Sequence, residues 1–212
     1  MTQSPVEAIA RMAADCVLVI LAHPDDESLL CGGTIAALSD AGCNVHVVSM
    51  TDGAQGRWTS FSRACDLAGA TCELLDFPTG SLSVDIALVS QTDTLLREYS
   101  PGCVITHSNG RSQSQDHPIV SQAVHLSAMR SNFPRLVLAA EPPFSSPDFQ
   151  PTVFIEVGDS FDRKLEMIKA HREVLDRPYL SDEYVRTRAL WWGQVSGCPG
   201  SLVESFELKI WR

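Results

Sequence analysis

An apolar run, Cys16-Val17-Leu18-Val19-Ile20-Leu21, stops abruptly at Ala22-His23-Pro24-Asp25-Asp26-Glu27. A stretch this rich in β-branched and aliphatic residues reads as a strand buried on both faces. Such a strand tolerates an imidazole and three carboxylates at its end only where they are solvated or have chemistry to perform. The fold must therefore have a covered parallel sheet whose first strand opens onto a polar edge. A solvated strand end is the plain alternative, and what separates the two readings is whether a second segment supplies partners.

The rest of the chain supports a sheet of that kind. Apolar segments at 16–22, 44–50, 71–76, 103–106 and 136–140 alternate with helical patterns near 28–41, 58–69, 84–99 and 118–130. Regular strand–helix alternation implies parallel strands with right-handed crossovers. Ala41-Gly42 and Ser100-Pro101-Gly102 read as helix stops, and Gly32-Gly33 as a place where a helix packs closely. After a proline-rich loop at 141–151 come a strand at 153–157, an amphipathic helix at 159–175 carrying Phe161, Leu165, Ile168 and Val174, a helix at 181–195 capped by Ser181, and a last strand from Leu202 to Trp211. The expected fold is α/β: a Rossmann-like, mostly parallel sheet with helices on both faces, and one domain over residues 1–212.

Bulk properties narrow the function. The net charge of −10 argues against nucleic-acid partners and against docking on anionic lipid. No stretch reaches the roughly 18 apolar residues of a membrane span, and the first fifteen residues lack a secretory pattern. The seven cysteines include no Cys-x-x-Cys pair and sit mostly inside apolar runs, as reduced thiols of a cytoplasmic protein would.

In open parallel sheets, ligands bind beyond the carboxyl ends of the strands, where strand order reverses. With the commonest order, strands one and four are neighbours there. Strand four runs into His107 and then Asn109-Gly110-Arg111-Ser112-Gln113-Ser114-Gln115-Asp116-His117, so two segments rich in His and Asp should meet. Catalytic zinc takes three His or carboxylate ligands and leaves one position open. His23, Asp26 and His117 can supply that set for one Zn2+ per chain, although iron, cobalt or manganese also suit it. Asp25 is then the candidate general base beside a water whose pKa zinc lowers to about 7. Asp116 is placed to orient a ligand, and Glu27 to pair with helix amides.

These residues carry a resemblance. Val19-Ile20-Leu21-Ala22-His23-Pro24-Asp25-Asp26-Glu27 resembles the signature of the LmbE-like, or PIG-L, zinc-dependent N-deacetylases. Thr51-Asp52-Gly53 with Gly56-Arg57, Asp76-Phe77-Pro78-Thr79-Gly80, Thr106-His107-Ser108 and Gln115-Asp116-His117 are similar to further motifs of that family, and the stretch from Phe149-Gln150-Pro151 to Phe206-Glu207 resembles its bacterial members. The resemblance implies His23, Asp26 and His117 as ligands, Asp25 as base and Arg57 as a contact to polar groups of the substrate. Asp52, a turn residue at the same sheet edge, is a further candidate contact. The implied reaction removes acetyl from an N-acetylated amino sugar in a small molecule, glycolipid or glycan. Many members place a second histidine three residues before the last ligand. Here that position is Ser114, so Ser114 or His107 is the candidate for its role.

Rival readings have specific deficits. A dinucleotide-binding module needs Gly-x-Gly-x-x-Gly after strand one, where this chain has His-Pro-Asp-Asp-Glu. A phosphorylation receiver has an acidic pair and Asp76 in its favour but lacks a well-placed late lysine. An amidase acting on a non-sugar or thiol-conjugate amide, and a metal-binding protein with little activity, both remain open.

Overall fold

In a computed structural model, residues 4–13, 16–53, 56–144, 147–172 and 177–212 are described. A first helix, α1 (Pro5–Ala13), precedes β1 (Cys16–Leu21), α2 (Asp26–Asp40), β2 (Asn44–Thr51), α3 (Trp58–Ala68), β3 (Thr71–Phe77), α4 (Ile86–Tyr99), β4 (Cys103–His107), α5 (Asp116–Arg130) and β5 (Leu136–Ala140). There follow β6 (Val153–Glu156), α6 (Phe161–Arg172), α7 (Asp182–Val195) and β7 (Val203–Trp211). The seven strands form one sheet in the order β3-β2-β1-β4-β5-β7-β6. Strands β1 to β5 run parallel, and β7 is antiparallel to both β5 and β6. The expected neighbouring of strands one and four is present, with Val17, Leu18 and Val19 opposite Cys103, Val104 and Ile105.

The all-apolar β1 divides its side chains between two cores. Val17, Val19 and Leu21 face the layer containing α1, α2, α3 and α6, whereas Leu18 and Ile20 face α4 and α5. Burial on both faces is what an unalternating strand demands.

Three differences from the sequence expectation matter. The helix α1 was not expected. The helices α2 and α5 begin at Asp26 and Asp116, two residues earlier than their apolar periodicity indicates, so Asp26 and His117 lie in helix first turns. Pro118 fits because a proline in the first turn gives up an amide that has no intrahelical partner. Of the amphipathic helix at 159–175, Gly158–Ser160 is a 3-10 turn and α6 covers Phe161–Arg172, while Val174 lies outside the described residues. Ser181 caps α7 as expected, its hydroxyl accepting from Tyr184 N–H at 3.3 Å.

Helix α2 is two helices joined at a kink, where Cys31 has φ −145° and ψ 20°. The kink frees the amides of Gly33 and Thr34, and both donate to the buried carboxylate of Glu204 on β7, at 3.0 and 2.8 Å. Lys164 of α6 neutralises that carboxylate from the other side. A buried anion held by amides and an ammonium is satisfied; losing either partner would leave a costly charge. Gly33 is required for steric reasons, since a Cβ there would stand 2.8 Å from Val157 Cβ. Gly33→Ala is therefore expected to lower unfolding stability by about 1–3 kcal/mol, seen as a lower melting temperature; an unchanged melting temperature would show that α2 can shift at no cost.

Candidate metal centre

The end of β1 is fixed between its neighbours. Ala22 donates its N–H to His107 Nε2 at 2.9 Å, and its carbonyl accepts from the amide and hydroxyl of Thr51 at 3.0 and 2.9 Å. The chain then turns sharply: Asp26 N–H reaches the His23 carbonyl at 3.3 Å, and the Asp26 carboxylate accepts from His23 N–H at 2.8 Å. Asp25 sits at φ 154°, ψ −23°, a strained conformation for a non-glycine residue, the kind that surrounding structure must impose. Glu27 imposes it. Its fully buried carboxylate accepts from Asp25 N–H at 3.0 Å and from Ser28 Oγ at 2.5 Å, and meets His171 Nε2 of α6 at 2.7 Å. Glu27 thus does more than meet helix amides, since it also ties the turn to α6. Nothing in the sequence pattern singles out His171 for this pairing.

Across the gap between β1 and β4, His23 Nδ1 stands 3.2 Å from His117 Nε2. Asp26 faces both, at 3.3 Å from each. One donor atom from each of His23, Asp26 and His117 lies within 4.8 Å of the other two, a set that can hold a metal ion. The outward nitrogens are occupied: His23 Nε2 by Asp116 at 3.0 Å, and His117 Nδ1 by Ser112 Oγ at 2.8 Å. Asp116 is itself fixed by the amides of Gly80 and Leu82, at 2.6 and 3.2 Å. Occupied outer nitrogens direct the remaining lone pairs inward, which is how hydrogen-bond partners behind an imidazole prepare it to ligate. Asp116 takes the orienting position that the sequence predicts for it, whereas nothing in the sequence singles out Ser112.

His107 is buried and stacks on His117 with ring centroids 4.0 Å apart and planes 9° apart. Its Nε2 accepts the Ala22 amide, so the ring is neutral with its proton on Nδ1. Burial, reinforced by the neighbouring charge of His117, pulls its pKa down to about 4. His23 is the opposite case: burial works against its charge, but Asp26 and Asp116 carry it up to about 9. Burial alone would raise Asp26, yet the charge of His117 holds it well below the carboxylate range. Asp25, buried beside Asp26, is pushed up to about 7, with Arg57 only partly offsetting.

These groups open into a cavity of about 350 Å³. His23, Asp25, Asp26, Arg57, Ser114 and His117 all contribute to its wall, whereas Asp52 and His107 do not. Arg57 Nη1 lies 3.6 Å from Asp25 Oδ1, and Arg57 Nε and Nη1 are buried with no hydrogen bond among the described residues. Gly53, at φ +71°, makes room for that guanidinium; a Cβ there would overlap it. Ser114 is half-buried and its Oγ accepts from Asp116 N–H at 3.3 Å, which leaves its proton for the cavity. Asp52 directly follows β2 and is half-buried.

The sheet and its switch point define an α/β protein whose His-Asp-His donors, at the carboxyl ends of β1 and β4, are grouped closely enough to hold a metal ion. The family model described as PIG-L: GlcNAc-PI de-N-acetylase matches residues 18–128. The chain belongs to this family. It is 26% identical over 211 residues to the diacetylchitobiose deacetylase of Thermococcus kodakarensis, covering 85% of this chain and 79% of that protein. Among solved structures, N,N'-diacetylchitobiose deacetylase from Pyrococcus horikoshii superposes with a TM-score of 0.83 over 96% of this chain and 86% of that one, at 21% identity. The 4-carboxy-2-hydroxymuconate hydratase GalB from Pseudomonas putida KT2440 superposes with a TM-score of 0.79 over 93% of this chain and 97% of that one, at 20% identity. One fold thus serves more than one chemistry, and the reaction must be argued from the site.

The raised pKa of Asp25 has a consequence for stability. A carboxyl whose folded pKa lies near 7 and whose unfolded pKa lies near 3.8 holds its proton more tightly when folded. Stability of the metal-free protein therefore falls as pH rises from about 4 to about 7. Asp25→Asn is expected to raise the melting temperature of metal-free protein at pH 8 and to change it little near pH 4. Equal melting at pH 8 would contradict the burial assigned to this carboxyl.

Proposed function

We propose that this chain is a metal-dependent hydrolase that removes the N-acetyl group from an amino sugar of the N-acetylglucosamine type, releasing acetate and a free amine. The observation carrying the reading is the placement of Asp25 and Arg57 on one cavity wall beside the inward donors of His23, Asp26 and His117. The family match and the likeness to diacetylchitobiose deacetylase support deacetylation over hydration.

The donor chemistry fits a divalent ion. Two imidazoles and one carboxylate, with both outer nitrogens hydrogen-bonded, suit zinc, our first choice, and also iron, cobalt or manganese. A divalent ion held by His23, Asp26 and His117 would supply Lewis acidity, acidifying water and polarising the acetyl carbonyl. Asp25 accepts the proton of the attacking water and returns it to the departing nitrogen, a task suited to a carboxyl whose pKa lies near neutrality. Arg57 offers its Nε and Nη1, which make no hydrogen bond among the described residues, to substrate hydroxyls or the acetamide oxygen. The Ser114 hydroxyl, on the cavity wall, donates toward the developing oxyanion. His107 acts through His117, by holding its ring in plane, and Asp52 shapes the turn that seats Arg57.

We take residues 1–212 as one catalytic domain, supported by the union of all seven strands in one sheet. No helix among the described residues is long and apolar enough to cross a membrane. We assign the chain to the cytoplasm on its cysteine usage, set nucleic acid aside as a partner on its net charge of −10, and take amino-sugar-containing molecules as its substrates on the family match.

Purified protein is expected to carry one divalent ion per chain by plasma mass spectrometry and to release acetate from N-acetylglucosamine derivatives. Asp25→Ala should retain the ion and lose turnover by ~10²–10⁴-fold. Unchanged turnover would remove Asp25 from the mechanism, and no acetate from any amino sugar would end the deacetylase reading. Asp116→Asn should weaken metal affinity by ~10–100-fold, measured by competition with a chromogenic chelator; unaltered affinity would make Asp116 a purely structural partner of His23.

A further inference from the structure

One buried histidine contributes no donor to the metal centre. His171, in the last turn of α6, is closed off from solvent, and its Nδ1 makes no hydrogen bond among the described residues. Its Nε2 donates to Glu27 Oε1 at 2.7 Å. Burying an imidazole is costly, and leaving one of its nitrogens unpaired adds to the cost. A position needed only for packing would favour an apolar side chain. The bond to Glu27 is therefore what the ring is there to make.

Glu27 divides its two oxygens between α6 and the turn. Oε1 takes His171 and the Ser28 hydroxyl, while Oε2 takes the Asp25 amide at 3.0 Å. The carboxylate thus links α6 to Asp25, whose backbone stands at φ 154°. A backbone in that region relaxes to an ordinary conformation unless contacts over-determine it. Ser28 cannot supply the hold, because it belongs to the same turn and moves with Glu27. His171 arrives from 144 positions away on a separate helix. That helix is itself set tightly against α2. A Cβ at Gly32 would stand 3.3 Å from both Lys164 Cγ and Met167 Cε, and Lys164 joins Glu204 to the Gly33 and Thr34 amides. Lys164 and His171 lie about two helical turns apart on one face of α6. Together they grip the first half of α2 at its kink and at its first turn.

We propose that His171 is a positioning residue for the hydrolysis: through Glu27 it keeps the Asp25 backbone in its strained conformation and so aims the Asp25 carboxylate into the reaction cavity. The proposal rests on the reading of Asp25 as proton acceptor given above, and it extends the machinery of the reaction to α6. A carboxylate displaced by about 1 Å from the water it must deprotonate can cost ~10²-fold in rate. Without the His171 donor, the Glu27 carboxylate keeps Ser28 and the Asp25 amide, both within its own turn, and among the described residues no side chain from outside the turn then holds it. The residues that line the cavity are untouched by the change, so the effect falls on kcat and not on KM.

The test uses the full-length, metal-loaded protein, with acetate release from N-acetylglucosamine derivatives as the assay and metal content measured alongside. His171→Leu, which keeps bulk without the donor, should retain the ion and KM and lose kcat by about 10- to 100-fold. His171→Gln places an amide N–H where Nε2 stands and should restore kcat to within about three-fold of wild type. His171→Asn keeps an amide that stops short of Glu27; it should be as slow as the Leu variant and replaces it in the comparison should that variant not fold. Leu165→Ala removes buried packing from the same helix but leaves Glu27 its partner, so it should lower the melting temperature and keep kcat within about two-fold. A second readout needs no turnover. Hydrogen exchange at the Asp25 amide, followed by NMR, should quicken about ten-fold or more in His171→Asn and stay slow in His171→Gln. Equal kcat in wild type and His171→Asn would overturn the proposal. So would a Gln variant that folds and binds metal yet stays as slow as the Asn variant, or a matching loss of kcat in Leu165→Ala. If exchange at Asp25 depends on His171 while wild type releases no acetate, the hold on the turn stands and the deacetylase reading falls.

Discussion

The structure depends on keeping Asp26 charged out of water. Its carboxylate is almost fully buried, accepts from the His23 N–H at 2.8 Å, and faces the His23 and His117 rings at 3.3 Å each. A carboxylate taken out of solvent survives only with several close partners of opposite charge or with hydrogen-bond donors. Those partners come from two strands separated by more than eighty residues. The β1–β4 pairing that brings them together, the stacking of His107 beneath His117, and the outer bonds of Asp116 and Ser112 all serve this one carboxylate and its two imidazoles. The same arrangement leaves Asp25, the next residue along the chain, without a comparable set of cations. Its pKa rises while that of Asp26 falls, so two adjacent aspartates acquire different chemistry from their surroundings.

The helix carrying the aspartates is itself anchored by buried charge. Glu27 pairs with His171 of α6, and Glu204 of β7 joins Lys164 of α6 to the amides freed at the α2 kink. Buried pairs of this kind add little net stability compared with apolar packing. They do set position, since an amide or a carboxylate left unpaired by a shift of α2 would be costly. Close packing of Gly33 on Val157 sets the distance between α2 and the layer behind it. The strained backbone at Asp25 is therefore held by contacts reaching to α6 and the last strand.

Much of this was legible in the sequence. The parallel strands declare themselves by unbroken apolar runs, and the turn at 22–27 by charge at the end of one of them. The meeting of His23 with His117 followed from topology, because the switch point of such a sheet admits few alternatives. The early starts of α2 and α5 were hidden, since first-turn residues that face a site carry polar side chains and break the apolar periodicity. His171, Lys164 and Glu204 looked like ordinary surface residues; their burial depends on partners 40 to 144 positions away. Ser112 carries no pattern at all, and only the placement of its loop reveals it. His107, a candidate for direct participation, lies beneath His117 with its Nε2 committed to Ala22.

The central claim is that His23, Asp26 and His117 bind one divalent ion beside Asp25. X-ray absorption at the zinc edge of the zinc-loaded protein tests it most directly. The account predicts a shell of nitrogen and oxygen at about 2.0–2.2 Å with outer scattering from two imidazoles, falling to one in His117→Ala. A sulfur shell near 2.3 Å, or a spectrum that the His117 substitution leaves unaltered, would place the ion elsewhere and contradict the account.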